Sequence, residues 1–231
     1  MAISPLQISI RDDNWLDSRK YLFILFTLGL FGDENILNLI REVKDKLLTH
    51  PGSIDLQHQL ERDHLILPTI ILHEIETNYT QVCLNTYGNY VCQKLISKLS
   101  ASQLLRLLDC LSEDFETIAK SIPGSCIVSE MINASINEKN CEVSLLKMFE
   151  AHVCALICDS QGSHLLQQVV VLFDSTRSKF ILDLIKENFH IISTDKYGCC
   201  LIKKIIERFD DDEIFIQVKS DLLYLSNVRS I

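Results

Sequence analysis

The sequence predicts an all-α protein, a curved α-solenoid of helical repeats about 36 residues long. One supporting observation is that only seven Gly and four Pro interrupt a chain rich in Leu and Ile. A second is that five of those glycines recur at spacings of 36, 36, 38 and 36 residues. The third is that apolar residues keep fixed helical offsets from these glycines. A fixed period of this length is typical of stacked helical repeats. The five glycines are Gly52, Gly88, Gly124, Gly162 and Gly198.

Each repeat is predicted to contain two helices, with its glycine entering the second. Apolar residues stand 16, 13 and 9 positions before each glycine, which is one face of a first helix. Apolar residues 4 and 8 positions after it define one face of a second helix. A short polar residue three positions before the glycine suits a helix cap. These residues are Thr49, Asn85, Ser121, Asp159 and Asp195.

The repeats divide the chain into three predicted parts. Residues 33–209 form the five repeats, numbered 1 to 5 below in chain order. Residues 1–32 form an N-terminal cap or a degenerate first repeat, in which Ser18 and Arg19 follow the position of the missing glycine. Residues 210–231 form a C-terminal capping helix or a truncated further repeat. The apolar run of residues 21–32 is too short to cross a bilayer and is interpreted as a buried helix.

The composition limits the classes of function. The net charge of −9 and the pI of 5.2 argue against indiscriminate binding to nucleic acid, which usually needs a basic surface. The nine cysteines are odd in number, scattered and without a CxxC pair, so they are interpreted as free thiols that serve as small apolar residues in a reducing cytosol. His152, Cys154 and Cys158 are likewise interpreted as core residues and not as metal ligands.

No phosphate-binding loop or catalytic constellation is present in the sequence. We therefore predict no catalytic residue, no metal site, no cofactor and no enzymatic activity. The chain is also expected to bind neither membrane nor DNA.

Residues one, two and five positions after each glycine, called +1, +2 and +5, are the candidate functional residues. Positions +1 and +5 lie one helical turn apart, so their side chains can meet the edge of one base. Position +2 projects from between them and can stack on the face of the base. In chain order the sets are Ser53, Ile54 and Gln57; Asn89, Tyr90 and Gln93; Ser125, Cys126 and Ser129; Ser163, His164 and Gln167; Cys199, Cys200 and Lys203.

The segment "YGNYVCQKLI" and the glycine register resemble the Pumilio (PUF) family of single-stranded RNA-binding proteins. The resemblance implies one base per repeat, read by two or three side chains. It also implies a cytoplasmic regulator (nucleolar or nuclear location is an alternative) that binds mRNA 3′ untranslated regions and controls translation.

The family's pairings imply a partial base preference. Asn89 with Gln93 implies uracil, stacked on Tyr90. Ser163 with Gln167 (His164 stacking) and Ser53 with Gln57 (Ile54 stacking) imply adenine. If the RNA runs antiparallel to the protein, the implied string is 5′-N-A-N-U-A. Weaker contacts are implied for Ser18, Arg19, Lys94 and Lys204.

Two repeats depart from the family pattern. Repeat 3 has Ser125 with Ser129 and lacks an amide, and Glu130 falls one residue too late to replace it. Repeat 5 has Cys199 with Lys203, a cation where glutamine is usual. No repeat carries the family's pairing of serine with glutamate for guanine. An alternative interpretation is therefore a helical-repeat scaffold for protein interactions with a degenerate RNA face. Regulatory protein partners are expected on the acidic outer face in either case.

Overall fold

A computed structural model describes residues 34–62 and 66–209, with Ile216 and Ser220 as isolated positions. The predicted N-terminal part, including Ser18 and Arg19 and the apolar run, lies outside these residues, as does most of 210–231. The chain divides into two compact units, Met1–Glu42 and Val43–Ile231.

The described residues form helices and no strand, which confirms the all-α prediction. The helices are α1 (Glu34–Lys46), α2 (His50–Glu61), α3 (Leu67–Leu84), α4 (Gly88–Ile96), α5 (Ala101–Leu111), α6 (Phe115–Lys120), α7 (Ile122–Ser135), α8 (Lys139–Leu156), α9 (Ser160–Leu172), α10 (Lys179–Glu187), α11 (Phe189–Thr194) and α12 (Lys196–Phe209). The second helices of repeats 1 to 5 are α2, α4, α7, α9 and α12.

The helices of the second unit are stacked in two layers. In one layer, α2 packs on α4, α4 on α7, α7 on α9 and α9 on α12. In the other, α3 packs on α5, α5 on α8 and α8 on α10. Each helix therefore covers the apolar side of its counterpart in the next repeat, which is the arrangement of an α-solenoid.

Most of the predicted apolar positions lie in the core. Phe115 and Phe149, from neighbouring repeats, are fully buried and meet edge to face with ring centroids 5.1 Å apart. In the second helices, Leu56 and Val128 are fully buried at the predicted offset. The pattern weakens at α12, where Ile206 is 43% exposed.

The short polar residues before the glycines cap the second helices in four of the five repeats. Asn85 accepts hydrogen bonds from the backbone N–H of Gly88, and Ser121 accepts one from Gly124. Asp159 and Asp195 do the same in repeats 4 and 5. The bond from Gly198 N–H is the main reason that the pKa of Asp195 lies below its usual value. Thr49 forms no such cap.

The recurring glycine permits close backbone contact between the helices of one repeat. A Cβ atom on Gly88 would lie 2.9 Å from the carbonyl oxygen of Val82. The same atom on Gly162 would lie 2.7 Å from the carbonyl oxygen of Leu156. Both distances are too short for a side chain, so the helix entry requires glycine.

The prediction of one continuous first helix per repeat is wrong for three repeats. The helix kinks at Asn78, and it is interrupted before Phe115 and again at Asn188. Asn78, Asp114 and Asn188 all stand ten positions before a glycine and have non-helical backbone angles. Asn and Asp side chains favour such breaks because they compete for backbone hydrogen bonds. Repeat 4 has His152 at this position, and its α8 is unbroken.

The interpretation of the cysteines as core residues is correct for only some of them. Cys83, Cys92 and Cys141 are buried, whereas Cys126, Cys154, Cys158, Cys199 and Cys200 are exposed. The core interpretation is therefore wrong for Cys154 and Cys158. His152 is half-buried, tilted against the ring of Phe115.

Within residues 34–62 and 66–209, no three His, Cys, Asp or Glu side chains converge as metal ligands. None of the described helices is long and apolar enough to cross a membrane.

Candidate functional site

The +2 side chains are exposed in all five repeats. Tyr90 is 53% exposed, and Ile54 is 42% exposed although isoleucine is among the residue types most often buried. Cys126, His164 and Cys200 are exposed at the equivalent positions. The second helices pack on one another in succession, so these five residues form a row with one member per repeat. We call the surface formed by the +1, +2 and +5 side chains the reading face.

The +1 side chains of repeats 1 to 4 are buried, which differs from the open hydrogen-bonding groups that the sequence led us to expect. Ser53, Asn89, Ser125 and Ser163 are each 1–7% exposed. Direct contact between these side chains and a base stays a prediction, because their polar atoms bond to the protein in this structure. Cys199 in repeat 5 is exposed, and its thiol faces the carbonyl oxygen of Lys196.

Three of these +1 hydroxyls join neighbouring repeats. Ser53 Oγ donates to the carbonyl oxygen of Tyr87 at 2.9 Å, and Ser163 Oγ donates to that of Tyr197 at 3.0 Å. Ser125 Oγ donates to Oε1 of Gln161 at 3.0 Å. In each case the acceptor is the residue just before the glycine of the next repeat. The small polar residue at +1 therefore contributes to the spacing between successive second helices.

The +1 side chains also hold the +5 glutamines. Gln57 Nε2 lies 3.1 Å from both the carbonyl oxygen and Oγ of Ser53. Gln93 Nε2 lies 2.9 Å from Oδ1 of Asn89, and Asn89 is itself oriented because its Nδ2 donates to two backbone carbonyls. Gln167 makes a longer contact, 3.4 Å, with Ser163 Oγ. The nitrogen of each glutamine amide therefore faces +1.

Repeat 3 uses its candidate residues differently. Ser129 Oγ donates to Oε1 of Gln168 in repeat 4 at 2.8 Å, and Gln168 Nε2 contacts Asn133 Oδ1 at 3.1 Å. Together with the Ser125–Gln161 bond, these contacts fasten α7 to α9. The hydroxyls of Ser125 and Ser129 are therefore both engaged in hydrogen bonds within the protein.

One open cleft brings together candidate residues of three consecutive repeats. It has a volume of about 270 Å³. Its lining includes Gln93 of repeat 2, Cys126 and Ser129 of repeat 3, and His164 of repeat 4. Glu130 and Gln161 also line it. Four of the residues that line the cleft therefore occupy +2 or +5 positions that the sequence singled out.

The predicted basic contacts are engaged in ion pairs. Lys94 Nζ lies 2.7 Å from Oε1 of Glu61 in the preceding repeat, and this hydrogen bond lowers the pKa of Glu61. Lys203 and Lys204 lie 4.0 and 3.7 Å from carboxylate oxygens of Glu207. Lys203 remains highly exposed, so its pair with Glu207 is weak and its ammonium is accessible.

Sequence reasoning missed the residues that connect the repeats at this face. Gln161 and Gln168 occupy positions −1 and +6 of repeat 4 and accept hydrogen bonds from repeat 3. Glu130, which the sequence pattern excluded as a reader, lines the cleft. An i, i+4 relationship between Cys126 and Glu130 was the available signal, because it places both on one side of the helix.

Comparison with known proteins supports the repeat assignment. The Pumilio-family RNA binding repeat matches residues 78–112, 152–185 and 188–216. Suppressor protein MPT5 of Saccharomyces cerevisiae is 29% identical over 159 residues, covering 65% of this chain and 18% of that protein. Pumilio homolog 11 of Arabidopsis thaliana is 24% identical over 155 residues, covering 65% and 28%. The match thus spans only 18% and 28% of the lengths of these relatives.

Solved structures share the fold. The RNA-binding domain of yeast Puf5p bound to MFA2 RNA has a TM-score of 0.71 and 23% identity, covering 78% of this chain and 51% of that chain. PUF-8 in complex with PBE-RNA has a TM-score of 0.72 and 16% identity, covering 94% and 61%.

The family is defined by a binding repeat, and the prediction that this chain is not an enzyme is confirmed on that basis. The matched repeats, the similar proteins and the stacked helices agree with the resemblance found in the sequence. The chain carries Pumilio-family repeats over the matched residues and is similar to Pumilio proteins there.

Proposed function

We propose that the reading face binds single-stranded RNA, with successive repeats each facing one base. The observation that carries this proposal is the cleft in which Gln93, Cys126 and His164, from three consecutive repeats, surround one volume of about 270 Å³. A base entering this cleft would meet exposed +2 side chains and a +5 amide together. The matched repeat and the RNA complexes of similar proteins support the same choice of ligand.

Stacking on the +2 side chains supplies the main sequence-independent contact in this proposal. Aromatic stacking contributes about 1–3 kcal/mol per base. Tyr90 offers the largest stacking surface. Its ring is already exposed, so it can stack on a base without first leaving the protein interior. His164 offers a second ring, whereas Ile54, Cys126 and Cys200 offer weaker contacts.

The +5 glutamines supply the selectivity. One amide hydrogen of Gln93 is engaged by Asn89, which leaves its second N–H and its Oε1 for a ligand. That pair matches a base edge with an acceptor beside a donor. All four bases present such an edge, so the choice of adenine and uracil follows the pairings that the family resemblance implies for each glutamine and its +1 partner. We therefore retain an adenine- and uracil-containing target read as 5′-N-A-N-U-A, with repeat 5 at the 5′ end.

The proposed RNA contacts are confined to the reading face of a protein that is acidic as a whole. With a net charge of −9, general attraction to phosphates is absent, and contacts on the reading face must supply the affinity. The proposed consequence is post-transcriptional control of the bound mRNA in the cytoplasm, aided by protein partners on the first-helix layer.

Fluorescence anisotropy with labelled 5′-N-A-N-U-A RNA, flanked on both sides, tests the proposal. We expect saturable binding at low salt that weakens with Tyr90→Ala and persists with Glu187→Gln, a charge change on the first-helix layer. Absence of binding to every adenine- and uracil-containing single strand would overturn it. A nuclease-insensitive protein partner that tolerates Tyr90→Ala would then favour the scaffold interpretation.

A further inference from the structure

Repeat 3 lacks a free neutral reader at the cleft. Ser125 Oγ lies 2.9 Å from the carbonyl oxygen of Ile122 and 3.0 Å from Oε1 of Gln161, and Ser129 Oγ donates to Gln168, so both hydroxyl hydrogens are engaged within the protein. Neither serine can offer its proton to a base without losing a hydrogen bond within the protein. Some other group must decide which base this repeat accepts.

Glu130 is the charged side chain that lines the cleft. It stands six positions after Gly124, in the middle of α7, one turn beyond Cys126. It is half-buried and shares the cleft with Cys126, Gln93 and His164. Its carboxylate makes no hydrogen bond or ion pair with any residue in 34–62 or 66–209.

The +6 position behaves differently in the neighbouring repeats. Lys94 in repeat 2 is paired with Glu61, and Gln168 in repeat 4 bonds to repeat 3. Lys204 in repeat 5 is paired with Glu207. Glu130 therefore lines the cleft and has no hydrogen-bond or ion-pair partner among the described residues.

An ionised carboxylate only accepts hydrogen bonds, and its two oxygens can accept two parallel donors. The Watson–Crick edge of guanine presents N1–H beside N2–H, which fits such a group. Adenine and cytosine each place a ring acceptor beside their single amino group, and uracil flanks N3–H with two carbonyl oxygens. A carboxylate repels each of those acceptors.

We propose that Glu130 is the specificity-determining residue of repeat 3 and that it selects guanine. This inference rests on the proposed RNA binding and completes the target as 5′-N-A-G-U-A. The family pattern predicts no guanine-binding residue in this chain, because no repeat has glutamate at +5. Glu130 would instead approach the base from position +6, on the same side of the helix as the +2 residue Cys126.

The test uses the full chain and four RNAs that differ only in the third base of 5′-N-A-N-U-A, measured by anisotropy at fixed salt. We expect guanine to be preferred over the other three bases by about tenfold, the discrimination typical of a two-bond contact. Glu130→Gln should reduce that preference to within about twofold, since an amide offers one acceptor in place of two. Glu187→Gln, which removes the same charge elsewhere, should leave the preference unchanged.

The outcomes separate the two proposals. If the wild-type protein binds all four RNAs with equal affinity, or if its guanine preference survives Glu130→Gln, the role of Glu130 is overturned while RNA binding stands. If neither these four RNAs nor any other adenine- and uracil-containing single strand binds, the proposed function fails, and the role of Glu130 fails with it. Circular dichroism of the variant verifies that α7 stays folded.

Discussion

Asn89 holds the amide of Gln93 in place. Gln93 Nε2 lies 2.9 Å from Oδ1 of Asn89, whose own Nδ2 donates to the carbonyl oxygens of Asn85 and Thr86. Asn89 is 4% exposed, whereas Gln93 is half-buried and lines the cleft. Asn89 and Gln93 were both expected to contact the edge of one base. In the structure Gln93 faces the cleft, and Asn89 orients the amide of Gln93.

The first prediction is that Asn89→Ala weakens RNA binding through Gln93. Gln93→Ala should lower affinity by about 1–3 kcal/mol, the usual range for an amide reading a base edge. Asn89→Ala should approach that loss because the freed amide no longer faces the base in one orientation. In anisotropy titrations the double variant should be no weaker than Gln93→Ala alone. Additive losses would instead indicate that Asn89 contacts the RNA independently.

The second prediction concerns stacking. Tyr90→Ala should reduce RNA affinity by about 1–3 kcal/mol, while Tyr90→Phe should retain most of it because the ring remains. Replacing Ile54 with tyrosine should strengthen binding, since the site is 42% exposed and can accept a ring without repacking. All three variants should keep the thermal midpoint of the wild type. Equal losses for Tyr90→Ala and Tyr90→Phe would assign the contact to the hydroxyl and not to the ring.

Particular residues show how far the sequence could predict this structure. The buried offsets of Phe115 and Val128 follow from helical period, and the capping by Asp159 follows from its short acceptor side chain. Periodicity cannot reveal the break at Asn188, because the apolar stripe continues across it. It also cannot reveal the bond from Ser163 to Tyr197, which depends on how two repeats are stacked. The exposed +2 row was predictable, whereas the burial of +1 was not.

The third prediction addresses the contact between repeats. Ser163→Ala should lower the free energy of unfolding by about 0.5–1.5 kcal/mol, because the carbonyl of Tyr197 loses a buried partner. Urea unfolding followed by circular dichroism measures this change. Ser160→Ala, at an exposed site on the same helix, is the control and should have a much smaller effect. A stability equal to that of the control would show that the Ser163–Tyr197 bond makes no net contribution.

The fourth prediction concerns the ion pair between Lys94 and Glu61. Both side chains are partly exposed, and Glu61 competes with any phosphate for the ammonium 2.7 Å away. Glu61→Gln should therefore raise RNA affinity at low salt. It should also steepen the dependence of log affinity on log salt by about 0.7, the value for one further phosphate contact on a single strand.

The ion pair between Lys94 and Glu61 should also make RNA affinity depend on pH in a defined direction. Because Lys94 holds the pKa of Glu61 below its ordinary value, the pair persists above that pKa and is lost as pH falls through it. The affinity advantage of Glu61→Gln should accordingly shrink as the pH is lowered into that range, where the wild-type carboxylate becomes neutral and releases Lys94. Titrations at stepped pH, with Glu187→Gln as the charge-matched control, measure the difference. An advantage that is independent of pH would show that Glu61 acts by some means other than its charge.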